Sequence, residues 1–136
     1  MTAWKRSGVD TVLSFLTREE ERDLDLLQEA AQAHGQGMNF LSYPIPDRQV
    51  PISESDLARF LAKLDAELSA GRNVVMHCRQ GIGRTGLVAG CLLVTKSLDP
   101  EVAVSRLSDV RGIPLPETPE QRQWIDRFAF TLTHRR

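Results

Sequence analysis

The residues of this chain best suited to chemistry are consecutive: His77-Cys78-Arg79-Gln80-Gly81-Ile82-Gly83-Arg84-Thr85. A thiol stands at the mouth of a loop that runs straight into an apolar helix, Leu87 to Val94. Backbone N–H groups turned inward on such a loop, together with the positive end of the helix, make an anion site with the curvature of a phosphate. Gly81 and Gly83 allow backbone angles that a Cβ forbids, so the loop, Gln80 and Ile82 included, can wrap closely around an oxyanion. The same field favours a thiolate, because cysteines in such settings ionise at about 3.5–7.5. Cys78 is therefore expected to be a nucleophile at neutral pH without a separate base.

Arg84 carries a planar fork suited to bidentate contact with two phosphate oxygens, and it would spread charge in a transition state. The Thr85 hydroxyl is placed to stabilise the thiolate when it leaves a thiophosphate. His77 is expected to orient the loop through its ring and not to shuttle protons. Arg79, directly after the nucleophile, is a second cation that would favour a multiply charged substrate or else sit solvated on the outer side.

These residues need a frame. Val12 to Leu16 reads as a buried strand, and Thr17 with Glu20 three residues later forms a capping box that opens a helix. Leu24, Leu27 and Ala31 recur at helical spacing up to Gly35 and Gly37. Met38 to Tyr43 reads as a second strand, and Pro44, Pro46 and Pro51 forbid regular structure around Asp47. Ser53 starts a helix with Leu57, Phe60, Leu61, Leu64 and Leu68 on one face, ended by Gly71. Asn73 to His77 reads as a central parallel strand, since its apolar residues are consecutive. Asp99-Pro100 opens a helix carrying Val102, Ala103, Leu107 and Val110, and Thr118-Pro119 with Gln121 opens the last one, whose inner face is Trp124, Ile125, Phe128 and Leu132. The order implies an α/β fold: a mostly parallel central sheet flanked by helices, with the ligand site at the carboxyl ends of the strands.

Composition narrows the class. The 136 residues fit one domain, with 17 Lys plus Arg against 18 Asp plus Glu and a net charge of −1. That balance gives no reason to expect nucleic acid as a partner, and no apolar run reaches the ~20 residues of a membrane span. Two cysteines, Cys78 and Cys91, make no disulfide scaffold, so a reduced, cytoplasmic setting is expected. Cys91 lies about two helical turns beyond the loop, roughly 10 Å away, too far to bond Cys78, and is expected in the core. His34 and His134 are expected at the surface. No His/Cys/Asp cluster has metal-ligand spacing, and no cofactor is called for.

His77-Cys78, five residues, then Arg84-Thr85-Gly86 resembles the signature of the protein tyrosine phosphatase superfamily. The small size is similar to its dual-specificity branch, over about Val9 to Phe128. The resemblance implies a cysteine-phosphatase fold and hydrolysis of phosphotyrosine, with phosphoserine and phosphothreonine, through a cysteinyl-phosphate intermediate. It further implies an aspartic general acid on a proline-flanked loop upstream. Asp47, 31 residues before Cys78, stands in such a loop, Tyr43-Pro44-Ile45-Pro46-Asp47-Arg48. Gln121 is similar to a position that helps place water, or is only the capping partner of Thr118.

A phosphorylated protein or other phosphomonoester is thus the expected partner of a monomer whose single domain spans 1–136. Small members of the family begin with one or two further strands, which this chain would lack. Three other readings compete. Arg79, with Arg48 beside Asp47, would suit a phosphoinositide or inositol phosphate. A rhodanese-like sulfur transferase also uses a cysteine loop, but Asp47 and the Gly83-Arg84-Thr85-Gly86 run fit it poorly. A non-catalytic phosphoprotein-binding domain would lose the cysteine, arginine or acid, and all three are present.

Overall fold

The computed structural model describes residues 2–134. Among them, three strands form one parallel sheet: β1 (Thr11–Ser14), β2 (Asn39–Ser42) and β3 (Val74–His77), in the order β2-β1-β3. Register aligns Leu13 with Leu41 and Met76, and Ser14 with Ser42 and His77. All three strands therefore end at one level, and the loops that leave them start side by side.

The helices are α1 (Thr2–Arg6), α2 (Arg18–Asp23), α3 (Glu29–Gly35), α4 (Glu54–Ser69), α5 (Arg84–Thr95), α6 (Pro100–Arg111) and α7 (Pro119–Thr133). Strand residues alternate between two apolar layers, as the pleat requires. Val12, Phe40 and Val75 face α1 and α3, packing with Trp4, Ala33 and Met38. Leu13, Leu41 and Met76 face the larger core made with Leu57, Leu61 and Leu64 of α4, Leu87, Val88 and Cys91 of α5, and Trp124, Ile125 and Phe128 of α7. Each fully buried side chain of this kind contributes about 1.5–3 kcal/mol.

Capping chemistry sets the helix starts. Thr17 and Thr118 each form a capping box, with Glu20 and Gln121, while Ser53 and Asp99 cap α4 and α6 through their side chains. Gly112 closes α6 in the left-handed region, φ 78°.

The structure corrects four expectations. The segment after Thr17 is two short helices, because Asp25 takes φ 59° and breaks the run. Leu24 and Leu27, expected on an inner face, are each 38% exposed. The central strand is β1, entirely buried, while β3 pairs on one side only and its residues are half-buried. On α6, Ala103 is buried but Val102 and Val110 are exposed, so its inner face is narrower than the apolar spacing implied. Helix α1 had no counterpart in the sequence reading; its Trp4 ring lies against His77, with centroids 5.8 Å apart.

Candidate active site

Each parallel strand delivers one part of the site from its carboxyl end. β3 runs into Cys78 and the loop ending at α5. β2 leads through Tyr43-Pro44-Ile45-Pro46 to Asp47. β1 leads to Thr17 and, through its capping box, to Glu20.

Cys78 is buried, at 9% exposure, and the Thr85 hydroxyl donates to its Sγ at 3.1 Å. That bond puts a donor on the sulfur from the first turn of α5, as the spacing of the two residues implies. Cys91 is fully buried in the core, and burial pushes its thiol well above the ordinary cysteine value, followed by the charge of Glu54. It has none of the environment of a nucleophile. His34 and His134 are exposed.

Arg84 is the hub. Its side chain is 1% exposed. Nη1 donates to Glu20 Oε1 at 2.5 Å and to the Ile45 carbonyl at 2.7 Å; Nη2 donates to Glu20 Oε2 at 2.8 Å and to Asp47 Oδ1 at 3.3 Å. Burial alone would lower the guanidinium pKa. The Glu20 hydrogen bonds and charge, with the charges of Cys78 and Asp47, carry it above the ordinary value. Reciprocally, the Arg84 hydrogen bond holds Glu20 below the usual carboxylate value against the opposing effect of burial. The structure thus brings Asp47 and Arg84 together across 37 residues of sequence.

Glu20 is the residue that sequence reasoning missed. Its Oε1 also accepts from the Thr17 backbone N–H at 3.1 Å, so one carboxylate caps α2 and grips Arg84. Arg79 lies with Nη1 3.8 Å from Glu20 Oε2, so its charge faces a carboxylate that Arg84 already shares. His77 points the other way: its Nε2 meets Glu29 Oε2 at 2.7 Å on α3, where Glu29 is 2% exposed. A ring held by α3 and α1 fixes the strand end just before Cys78.

The loop itself is shaped as expected at one glycine and differently at the other. Gly81 has φ +74°, where a side chain is strained. Gly83 has φ −74°, open to any residue, and is small for another reason. A Cβ there would come within 2.9 Å of Glu117 Oε1 and 3.1 Å of Gln121 Oε1. Gln80 and Gly81 present their carbonyls to Arg111, at the end of α6: Nη2 donates to Gln80 O at 3.1 Å, and Nε lies 3.5 Å from Gly81 O. Ile82 accepts the Gly86 N–H at 3.2 Å, in the turn that enters α5. Gln121 is fully buried and engaged with backbone. Its Oε1 accepts from Thr118 N at 3.1 Å and Glu117 N at 3.2 Å, and its Nε2 donates to Gln49 O at 3.0 Å. Arg48, beside Asp47, pairs with Glu117 at 2.8 Å.

Comparison with known proteins bears on this arrangement. Residues 2–97 match the family described as "Polymorphic toxin system, DSP-PTPase phosphatase". Cyclin-dependent kinase inhibitor 3 of Rattus norvegicus is 33% identical over 136 residues, covering 94% of this chain and 61% of that protein. The same-named protein of Sus scrofa is 30% identical over 130 residues with the same coverage. The chain therefore spans 61% of the length of these curated relatives. A crystal structure of kinase associated phosphatase, with its catalytic-site cysteine replaced by serine, superposes with a TM-score of 0.90 at 26% identity, over 99% of this chain and 76% of that one. Tk-PTP in its active form gives 0.79 at 25% identity, over 91% and 80%. The match takes in β1 to α5, and with it Glu20, Asp47 and the whole cysteine loop: the chain belongs to the DSP-PTPase phosphatase family.

Proposed function

We propose that this domain is a cysteine-dependent phosphatase for phosphotyrosine, and with it phosphoserine and phosphothreonine, in proteins. The observation that carries the reading is the meeting of Asp47 with Arg84 beside a thiol that already receives the Thr85 hydroxyl. A nucleophile, an anion clamp and an acid from three different segments converge on one place.

The Cys78 thiolate attacks phosphorus in line, forming an S–P bond as the bond to the leaving oxygen breaks. Asp47 gives that oxygen a proton, a contribution of about 10²–10⁴ in rate. Four N–H groups of Arg84 are engaged by Glu20, Ile45 and Asp47, and Nε–H has no partner among the described residues. A phosphate oxygen takes that Nε–H, and a second replaces Asp47 on Nη2, so substrate binding frees the Asp47 side chain, which reacts as the carboxylic acid after taking a proton from solvent, to face the leaving group. Water then attacks the thiophosphate while Asp47 takes its proton. The sulfur departs as a thiolate with Thr85 on it, and inorganic phosphate leaves.

Kinase associated phosphatase, whose catalytic site holds a cysteine, supports the nucleophile assignment by likeness. A phosphoinositide or inositol phosphate is not favoured, because Arg79 faces Glu20 instead of standing free. The enzyme would work as a cytoplasmic monomer, a setting in which Cys78 and Cys91 stay the free thiols they are here. Among the described residues no helix is long and apolar enough to cross a membrane. Turnover of matched phosphotyrosine and phosphothreonine peptides tests the substrate class. Both should be hydrolysed; a preference for tyrosine above about a thousandfold, some 4 kcal/mol, would refute dual specificity.

A further inference from the structure

The acid loop is built against its own backbone preference. Gln49 N bonds to Pro46 O at 3.0 Å, closing a turn with Asp47 and Arg48 at its centre. Arg48 takes φ +63°, in the left-handed region that an arginine rarely occupies without outside support. That support comes from the segment before α7. Arg48 Nη1 pairs with Glu117 Oε2 at 2.8 Å, and Gln49 O accepts Gln121 Nε2 at 3.0 Å.

Glu117 is itself fixed at both ends. Its backbone N–H donates to Gln121 Oε1 at 3.2 Å. Its carboxylate stands over the cysteine loop, with Oε1 2.9 Å from where a Cβ on Gly83 would lie. One oxygen thus faces the phosphate loop while the other grips the acid loop. The glycine at position 83 makes that approach possible.

We propose that Glu117 is a positioning residue for Asp47, holding the acid loop closed over the phosphate loop through Arg48. This rests on the reading of Asp47 as the general acid. Glu117 touches no reacting atom; it acts by raising the fraction of molecules in which Asp47 is in reach. The pair is part-exposed, 60% at Arg48 and 22% at Glu117, so its effect is modest and is weakened by salt.

The test uses leaving groups. kcat/KM, which reports the steps up to S–P bond formation and not the later hydrolysis that both substrates share, is measured for p-nitrophenyl phosphate, which departs without help, and for phenyl phosphate, which needs a proton. The proteins are wild type, Glu117→Gln, Arg48→Gln, the double variant and Asp47→Asn. Arg48 is largely exposed, so Arg48→Gln leaves the fold intact even where Glu117→Gln does not. Each single latch variant should lower kcat/KM for phenyl phosphate about two- to fivefold, the reach of a part-exposed ion pair, and leave that for p-nitrophenyl phosphate within about twofold. The double variant should lose no more than either single one, and Arg48→Lys should recover part of the loss. Equal effects on both substrates, or losses that multiply in the double variant, would overturn the proposal. Asp47→Asn separates the two readings. Strong loss confined to phenyl phosphate with no such loss in the latch variants sinks the latch alone; no discrimination in Asp47→Asn sinks the acid assignment and the latch with it.

Discussion

Replacing Glu20 by glutamine removes one charge and almost no volume from the cluster around Arg84. The wild-type carboxylate accepts from Nη1 at 2.5 Å and from Nη2 at 2.8 Å, with Glu20 7% exposed and the Arg84 side chain 1% exposed. In the amide, one of those acceptors becomes a donor facing a donor. Breaking one side of a buried ion pair costs about 3–5 kcal/mol. Arg84 keeps the Ile45 carbonyl and Asp47, so the lower end applies, about 3 kcal/mol. The capping box survives, because glutamine serves at that position as well as glutamate. In urea, the midpoint should fall by roughly 1.5 M at a slope of about 2 kcal/mol/M, with the slope unchanged.

The pH dependence gives a second, independent reading of the same bond. Arg84 lowers the folded-state pKa of Glu20 from its ordinary 4.5. The stability from this shift is therefore fully present above pH 4.5 and is lost as pH falls through the lowered folded value. Glutamine has no such loss. The gap between wild type and variant should thus narrow below pH 4.5. A variant within about 0.5 kcal/mol of wild type at neutral pH, the range of an ordinary surface change, would refute the reasoning. So would a gap that stays constant into acid.

Two further changes probe the loop. Thr85→Ala removes the donor to Cys78 Sγ and should slow hydrolysis of the thiophosphate about tenfold, seen as a burst of nitrophenolate ahead of a lowered steady rate; an unchanged steady rate without a burst would contradict it. Gly81→Ala forces a side chain into φ +74° and against Arg111, so the inhibition constant of inorganic phosphate should rise about fivefold or more, while Gly35→Ala, with nothing within 4 Å, should leave it unchanged.

Local chemistry was readable in the sequence wherever the partners are near each other along the chain. The two capping boxes, the run from β3 through the loop to α5, and the contact of Thr85 with Cys78 are of this kind. Asp47 was found through the family resemblance and not through any local signal. What stayed hidden depends on tertiary approach. Glu20 looks complete as a capping residue, and nothing nearby signals that its carboxylate also meets an arginine 64 residues on. Arg111 and Glu117 carry no signal in the sequence, because they meet the cysteine loop only once α6 and the segment before α7 are folded over it. The helix split at Asp25 was hidden because the apolar spacing of Leu24 and Leu27 continues across the break, although both side chains face solvent. Gly83 was legible as a glycine that mattered, but its reason is the closeness of Glu117 and not its backbone angle.

The central claim is that phosphate passes through a covalent bond to Cys78. It is tested most directly by rapid quench of the enzyme in denaturant at neutral pH with p-nitrophenyl phosphate radiolabelled on phosphorus, followed by peptide mapping of the label. The account predicts label on the peptide containing Cys78, retained in alkali and released by iodine as an S–P bond is, and neither label nor nitrophenolate release in Cys78→Ser. Turnover that persists in Cys78→Ser, or label on any other residue, would contradict it.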